Sequence, residues 1–143
     1  MATEWVHFAC HGDQKLHDPS RGGLHMYDGV VTVTDVSTRQ HRGEFAYLSS
    51  CKTAVGGINL LDEVTTFAAA LSYAGYRHVI ATLWSVGDRQ AAQIAEEVYA
   101  RLVSGGHLNA DNAAEALHHA VRALRDEHPE RPAIWTPLVH TGP

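Results

Sequence analysis

Three short runs in this chain are apolar on both faces: Trp5 to Cys10, Phe45 to Leu48 and His78 to Trp84. A strand with no polar face must be covered on both sides, which is the condition of strands inside a parallel sheet. Between and after these runs lie segments with apolar residues at helical spacing. Val64, Phe67, Ala68, Leu71 and Ala74 make one such face. Ala91, Ile94, Ala95, Val98 and Leu102 make a second, and Ala116, Leu117, Ala120, Val121 and Leu124 a third. Strands alternating with helices imply an α/β fold with a mostly parallel sheet between helical layers. At 143 residues the chain fits one domain.

The remaining elements follow from turn and cap chemistry. Residues 13–23 are polar and turn-rich, which predicts a loop. Asp28-Gly29 between Leu24–Tyr27 and Val30–Val33 predicts a hairpin. Thr34-Asp35 is placed to cap a short helical turn. Asn59 or Asp62 opens the first long helix, and Gly75 stops it. Asp88 is read as the cap of the second and Gly105-Gly106 as its stop. Asn112 and Glu115 have capping-box spacing for the third. Ile134 to His140 reads as a last strand, at an edge because Pro137 cannot donate to a ladder.

Two of the apolar runs end on reactive residues. The first runs into His11-Gly12. The second continues through Ser49 and Ser50 to Cys51, followed by a small-residue loop, Thr53 to Gly57. If these strands are neighbours and parallel, His11 and Cys51 leave the sheet at the same rim, where open α/β proteins put their chemistry. An imidazole facing a thiol is the minimum for a cysteine nucleophile, since it can take the thiol proton and return it to a leaving amine. The backbone N–H groups of Gly12 and Cys51 are the candidate oxyanion donors. Taken singly, Cys51 could be an inert buried thiol and His11 a turn histidine; their pairing at two strand ends favours chemistry. Cys10 alternates to the opposite face and reads as core.

The motifs His-Phe-Ala-Cys-His11-Gly12, Leu48-Ser-Ser-Cys51-Lys-Thr-Ala and Ala81-Thr-Leu-Trp84-Ser-Val-Gly-Asp88 resemble the CHAT domain, a caspase-like peptidase domain related to separases. The resemblance runs from Glu4 to Gly142 and includes Ile134 to Gly142 as the closing strand. It implies a caspase-hemoglobinase-like three-layer sandwich. It also implies a general base at His11, a nucleophile at Cys51 and an oxyanion contribution from Gly12. Ser49, Trp84, Ser85 and Asp88 fall where such folds build the substrate cleft. Some relatives carry an Asp two residues before the nucleophile to hold a basic substrate side chain; here that residue is Ser49. If Asp88 turns inward, a Lys or Arg of the substrate would suit it.

The family has two strands before the histidine strand, and these 143 residues hold no counterpart. Residues 1–143 are therefore expected to be a segment of a longer chain whose upstream part, in the family often helical repeats, is itself a partner. The substrate is expected to be a protein or peptide. A catalytically silent interaction scaffold and a hydrolase of small acyl groups are the competing functions.

Composition narrows the rest. A net charge of -5 argues against nucleic-acid binding, and no run approaches the length of a membrane span. Two cysteines and no secretory leader pattern suggest a reducing, cytoplasmic setting. Eleven histidines raise the question of a metal. His7 and His11, four apart on a strand, are separated by about 13 Å, and neither HExxH nor CxxC occurs. No metal or other cofactor is expected.

Overall fold

The computed structural model describes residues 5–13, 22–49 and 60–143. In chain order the elements begin with β1 (Trp5–Phe8), β2 (His11–Asp13), β3 (Gly23–Met26), β4 (Gly29–Thr32) and α1 (Val33–Ser37). Next come β5 (Gly43–Leu48), α2 (Leu60–Tyr73), β6 (Tyr76–Thr82) and α3 (Asp88–Leu102). A small ribbon, β7 (Val103–Ser104) and β8 (His107–Leu108), and a 3-10 turn (Ala110–Asn112) lead to α4 (Ala113–Glu127), α5 (Pro132–Trp135) and β9 (Leu138–Thr141).

The main sheet has four strands in the order β1-β5-β6-β9. The first three are parallel and β9 is antiparallel. This is the mixed α/β architecture that the two-faced apolar runs require: a mostly parallel sheet flanked by helices. Alternation along each strand sorts side chains between two cores. Phe45, Tyr47 and Ile80 face α3 and α4. Ala46, Leu48, Val79 and Ala81 face α2 and the α1 region. The helices answer with apolar stripes at i, i+3 and i+4: Ile94, Val98 and Leu102 on α3, Ala113, Ala116, Leu117, Ala120 and Leu124 on α4. Phe67, Ala68 and Leu71 do the same on α2.

Several local expectations shift. The hairpin forms, but Met26 pairs with Gly29, so Tyr27-Asp28 make the two-residue turn. The cap of α1 is Thr32, not Thr34: its hydroxyl accepts from the Asp35 N–H at 3.1 Å, and the Asp35 carboxylate accepts from the Thr32 N–H at 2.9 Å. Asp35 is thus the returning half of a capping box. α2 begins at Leu60, before Asp62; Asn59 lies outside the described residues. Gly75 does end α2's run, with φ 109°, where a Cβ would meet the His41 carbonyl.

The third parallel strand starts at Tyr76, two residues earlier than the apolar run suggests, because Tyr76 is buried over Gly43. Asp88 is the first residue of α3 rather than its cap; that position is Gly87. Gly105-Gly106, with φ of 59° and 80°, do more than stop a helix. Two successive positive φ values are those of the hairpin turn that joins β7 to β8. The Asn112–Glu115 box does not form. Instead Asn109 accepts from the Asp111 N–H at 3.1 Å and starts the 3-10 turn that precedes α4. The final run splits at Pro137 into α5 and β9, and β9 is the edge strand that proline demands. β1, read from its apolar faces as interior, pairs only with β5 among the described residues and is half-buried.

The β6–β9 edge carries a polar cluster. His78, 2% exposed, lies between His140 and Asp111. Its Nε2 is 3.4 Å from Asp111 Oδ1 and its Nδ1 is 3.1 Å from His140 Nε2. A carboxylate only accepts, so the network assigns the His78 proton to Nε2 and makes Nδ1 the acceptor of a proton on His140 Nε2. Arg77 clamps the outside, donating to Glu44 at 2.7 Å and Asp111 at 3.1 Å. Two protonated rings would set N–H against N–H across the 3.1 Å gap. Burial first, and then the charge of His78, pushes the His140 imidazole below its ordinary value.

Two predictions come from this packing. Ile80, fully buried against α3 and α4, should cost about 2–5 kcal/mol on substitution by Ala, read as a lower denaturation midpoint in urea. For His140, the unfolded chain takes up a proton more readily than the folded one, so stability rises with pH. The contribution is complete above the ordinary histidine value of 6.5 and is lost as pH falls through the depressed folded value. The melting temperature should therefore drop on acidification below pH 6.5, and His140→Gln should flatten the drop; an unchanged slope would remove the pair from the acid response.

Candidate active site

β1 and β5 are adjacent, parallel and in register, with Phe8 and Leu48 as Cα partners at their ends. The ladder runs one step further: the Ser49 N–H donates to the Phe8 carbonyl at 3.0 Å. Beyond this rim the chain leaves the main sheet. It returns as β2, the third strand of a small antiparallel sheet with the β3–β4 hairpin. His11 opens β2 opposite His25, and Gly12 lies opposite Leu24. Leu24 is buried and anchors the hairpin to the α2-side core. His11 is exposed and Gly12 half-buried. The sequence suggests a bare strand end at His11-Gly12; the structure gives both residues a backbone ladder of their own. The signal for it was present in Leu24-His-Met, a strand with more than one edge to offer. Cys51 and the Thr53–Gly57 loop lie outside the described residues.

On the α3 side of the rim a groove of ≈ 310 Å³ opens. Its floor is His7, Ala9, Ser49 and Thr82, the side chains that β1, β5 and β6 turn toward α3. Its wall is Val86 and one face of α3, Asp88, Ala91, Ala92 and Ala95. Of the four candidate cleft residues, Ser49 and Asp88 share this groove. Trp84 and Ser85 are not in its lining. The Trp84 indole donates to the Ala133 carbonyl at 3.0 Å, which ties the loop after β6 to α5.

One polar feature of the groove is not in the motifs. His7 interrupts the apolar run of β1, and its ring packs 4.7 Å from Tyr47 and 5.6 Å from Tyr99 between centroids. The Tyr99 hydroxyl is 3.1 Å from His7 Nδ1. Burial pushes the Tyr99 phenol up to about 12, so it keeps its proton. Burial, and then Tyr99, raises Tyr47 as well. Burial also pushes the His7 imidazole down from its ordinary value. In the neutral ring, whichever nitrogen holds the proton, Nε2 and the Tyr99 oxygen keep one donor and one acceptor between them. The clue in the sequence was the single polar residue in a two-faced apolar strand.

Among the described residues no group of three His, Cys, Asp or Glu could hold a metal ion. No helix among them is long and apolar enough to cross a membrane. The search of curated proteins finds no match to the chain. The family model of the CHAT domain matches residues 2–143, nearly the whole sequence, and the chain belongs to that family, whose members are related to caspase-like peptidases.

Proposed function

We propose that the chain carries a cysteine endopeptidase centre, with Cys51 as nucleophile and His11 as general base, acting on a polypeptide. The observation that supports this most is the register of β1 on β5. The two strands end as Cα partners at Phe8 and Leu48, and His11 and Cys51 each follow three residues later. Equal offsets from one rim are what an imidazole and a thiol serving a single substrate carbonyl would need. His11 takes the thiol proton as sulfur attacks the carbonyl carbon, and the C–N bond then breaks as that proton passes to the amine. Water resolves the thioester by the same base. The N–H groups of Gly12 and Cys51 hold the oxyanion. The β2–β3 ladder holds the Gly12 backbone in place before substrate arrives. Membership of the CHAT family adds weight to this reading of the residues.

A silent scaffold would need neither side chain. The test is iodoacetamide labelling of the intact protein followed by peptide mapping, together with cleavage of a peptide library. Cys51 should label faster than Cys10, which is half-buried against the α2-side core. Cys51→Ala and His11→Ala should each lower the cleavage rate by at least about a thousandfold with the melting temperature preserved. Cleavage that survives Cys51→Ala would sink the assignment.

A further inference from the structure

The groove beside the rim has a definite polarity along its length. Asp88, Ala91, Ala92 and Ala95 stand at i, i+3, i+4 and i+7 on α3, so they form one line down the helix. That line is about 10 Å long. Asp88 is at its outer end, at the start of α3 and exposed. One turn beyond Ala95 comes Tyr99, whose hydroxyl holds His7. His7, which lines the groove and is itself exposed, carries that hydroxyl at Nδ1, so the end of the groove away from Asp88, its inner end, is at the His7–Tyr99 pair. Three alanines on the wall and one on the floor leave room for an extended side chain between the ends.

We propose that this groove receives the substrate side chain preceding the scissile bond, and that His7, held by Tyr99, selects a neutral side chain that both donates and accepts a hydrogen bond, glutamine best. The inference rests on the peptidase reading of Cys51 and His11. Among the described residues His7 Nε2 has no partner, so in either tautomer Nε2 and the Tyr99 oxygen offer one donor and one acceptor between them. A carboxamide matches both, since its C=O and NH2 can exchange places. Methionine has the length but only a weak acceptor. Glutamate must pass the Asp88 carboxylate on a chain of net charge -5. A lysine or arginine reaching the inner end finds no carboxylate there, because Asp88, at the mouth, is the only acidic residue in the described lining. Turning the conditional expectation round, a basic side chain would be held only if it stopped at the mouth.

The test uses the intact protein and fluorogenic peptides that differ only at the residue before the cleaved bond. Glutamine should exceed methionine, lysine, arginine and glutamate by about tenfold or more in kcat/KM, the scale of one buried hydrogen bond. His7→Phe keeps an aromatic ring between Tyr47 and Tyr99 but removes the polar nitrogen. It should bring the glutamine-to-methionine ratio down to about one while cleavage of the methionine peptide persists. Tyr99→Phe, the milder variant if His7→Phe does not fold, should lower the same ratio by removing one polar partner and releasing the His7 ring. Because the ratio is taken within one variant, a general loss of structure does not move it. A preference for lysine or arginine that Asp88→Asn abolishes would overturn the proposal, as would a ratio indifferent to both ring substitutions. If the parent protein neither cleaves any peptide nor labels at Cys51, the peptidase reading falls and takes the pocket with it; a labelled, cleaving protein with a profile independent of His7 overturns the pocket alone.

Discussion

Everything distinctive about this molecule depends on the parallel ladder of β5 between β1 and β6. Its central residues, Phe45, Ala46, Tyr47 and Leu48, are all at most 2% exposed. A strand buried on both faces has no freedom of register: a slip of one residue would turn Tyr47 and Ala46 to the wrong cores at once. Tyr47 packs against His7 and Tyr99, and Ala46 is fully buried on the α2 side. Register is thereby coupled to packing. The alignment of the β1 and β5 ends, on which the proposed chemistry relies, is a by-product of core complementarity and needs no further device.

The helices supply the two faces in different ways. α3 and α4 pack on each other as well as on the sheet, and three of α4's five buried residues are alanine. Those small residues let the helices approach closely, while Ile94, Val98, Leu102, Leu117 and Leu124 interdigitate with Phe45, Tyr47 and Ile80 from the strands. The rim is different. Where the strands' side chains become small, at Ala9, Ser49 and Thr82, α3 keeps its own small residues, and a groove results. The groove exists because two complementary surfaces both run out of bulk at the same level.

The fold was legible in the sequence because it rests on period and polarity. Two-faced apolar runs gave the parallel strands, and i, i+3, i+4 stripes gave α2, α3 and α4. The misreadings were local and of one kind: a residue with the right chemistry for a role, beside another that performs it. Asp88 could cap α3, yet Gly87 has the extended backbone of that position. Thr34 could cap α1, yet Thr32 makes the bond to Asp35. Gly105-Gly106 satisfied a stop signal and also a hairpin signal. Tertiary geometry decides between such neighbours, and sequence spacing does not contain it. At the site, the His11 and Cys51 motifs pointed to chemistry at strand ends, and Cys51 lies outside the described residues. The β2 ladder that holds His11-Gly12 and the Tyr99 hydroxyl on His7 were not legible, since each joins residues far apart in the chain.

Parity gives the candidate site its economy of parts. On β1 the odd positions Trp5, His7 and Ala9 turn toward α3, and the even positions Val6, Phe8 and Cys10 turn toward α2. Cys10 is therefore sequestered with Phe8 against the α2-side core, on the far face of the sheet from the groove. A second thiol on the groove side would compete for the same base; alternation removes it without any dedicated residue. The same rule sends His7 into the groove and sets its Nδ1 against the Tyr99 hydroxyl on the helix opposite. One period-two pattern thus separates an inert thiol from a polar histidine only three residues away, and it does so with the same backbone alternation that builds the two cores.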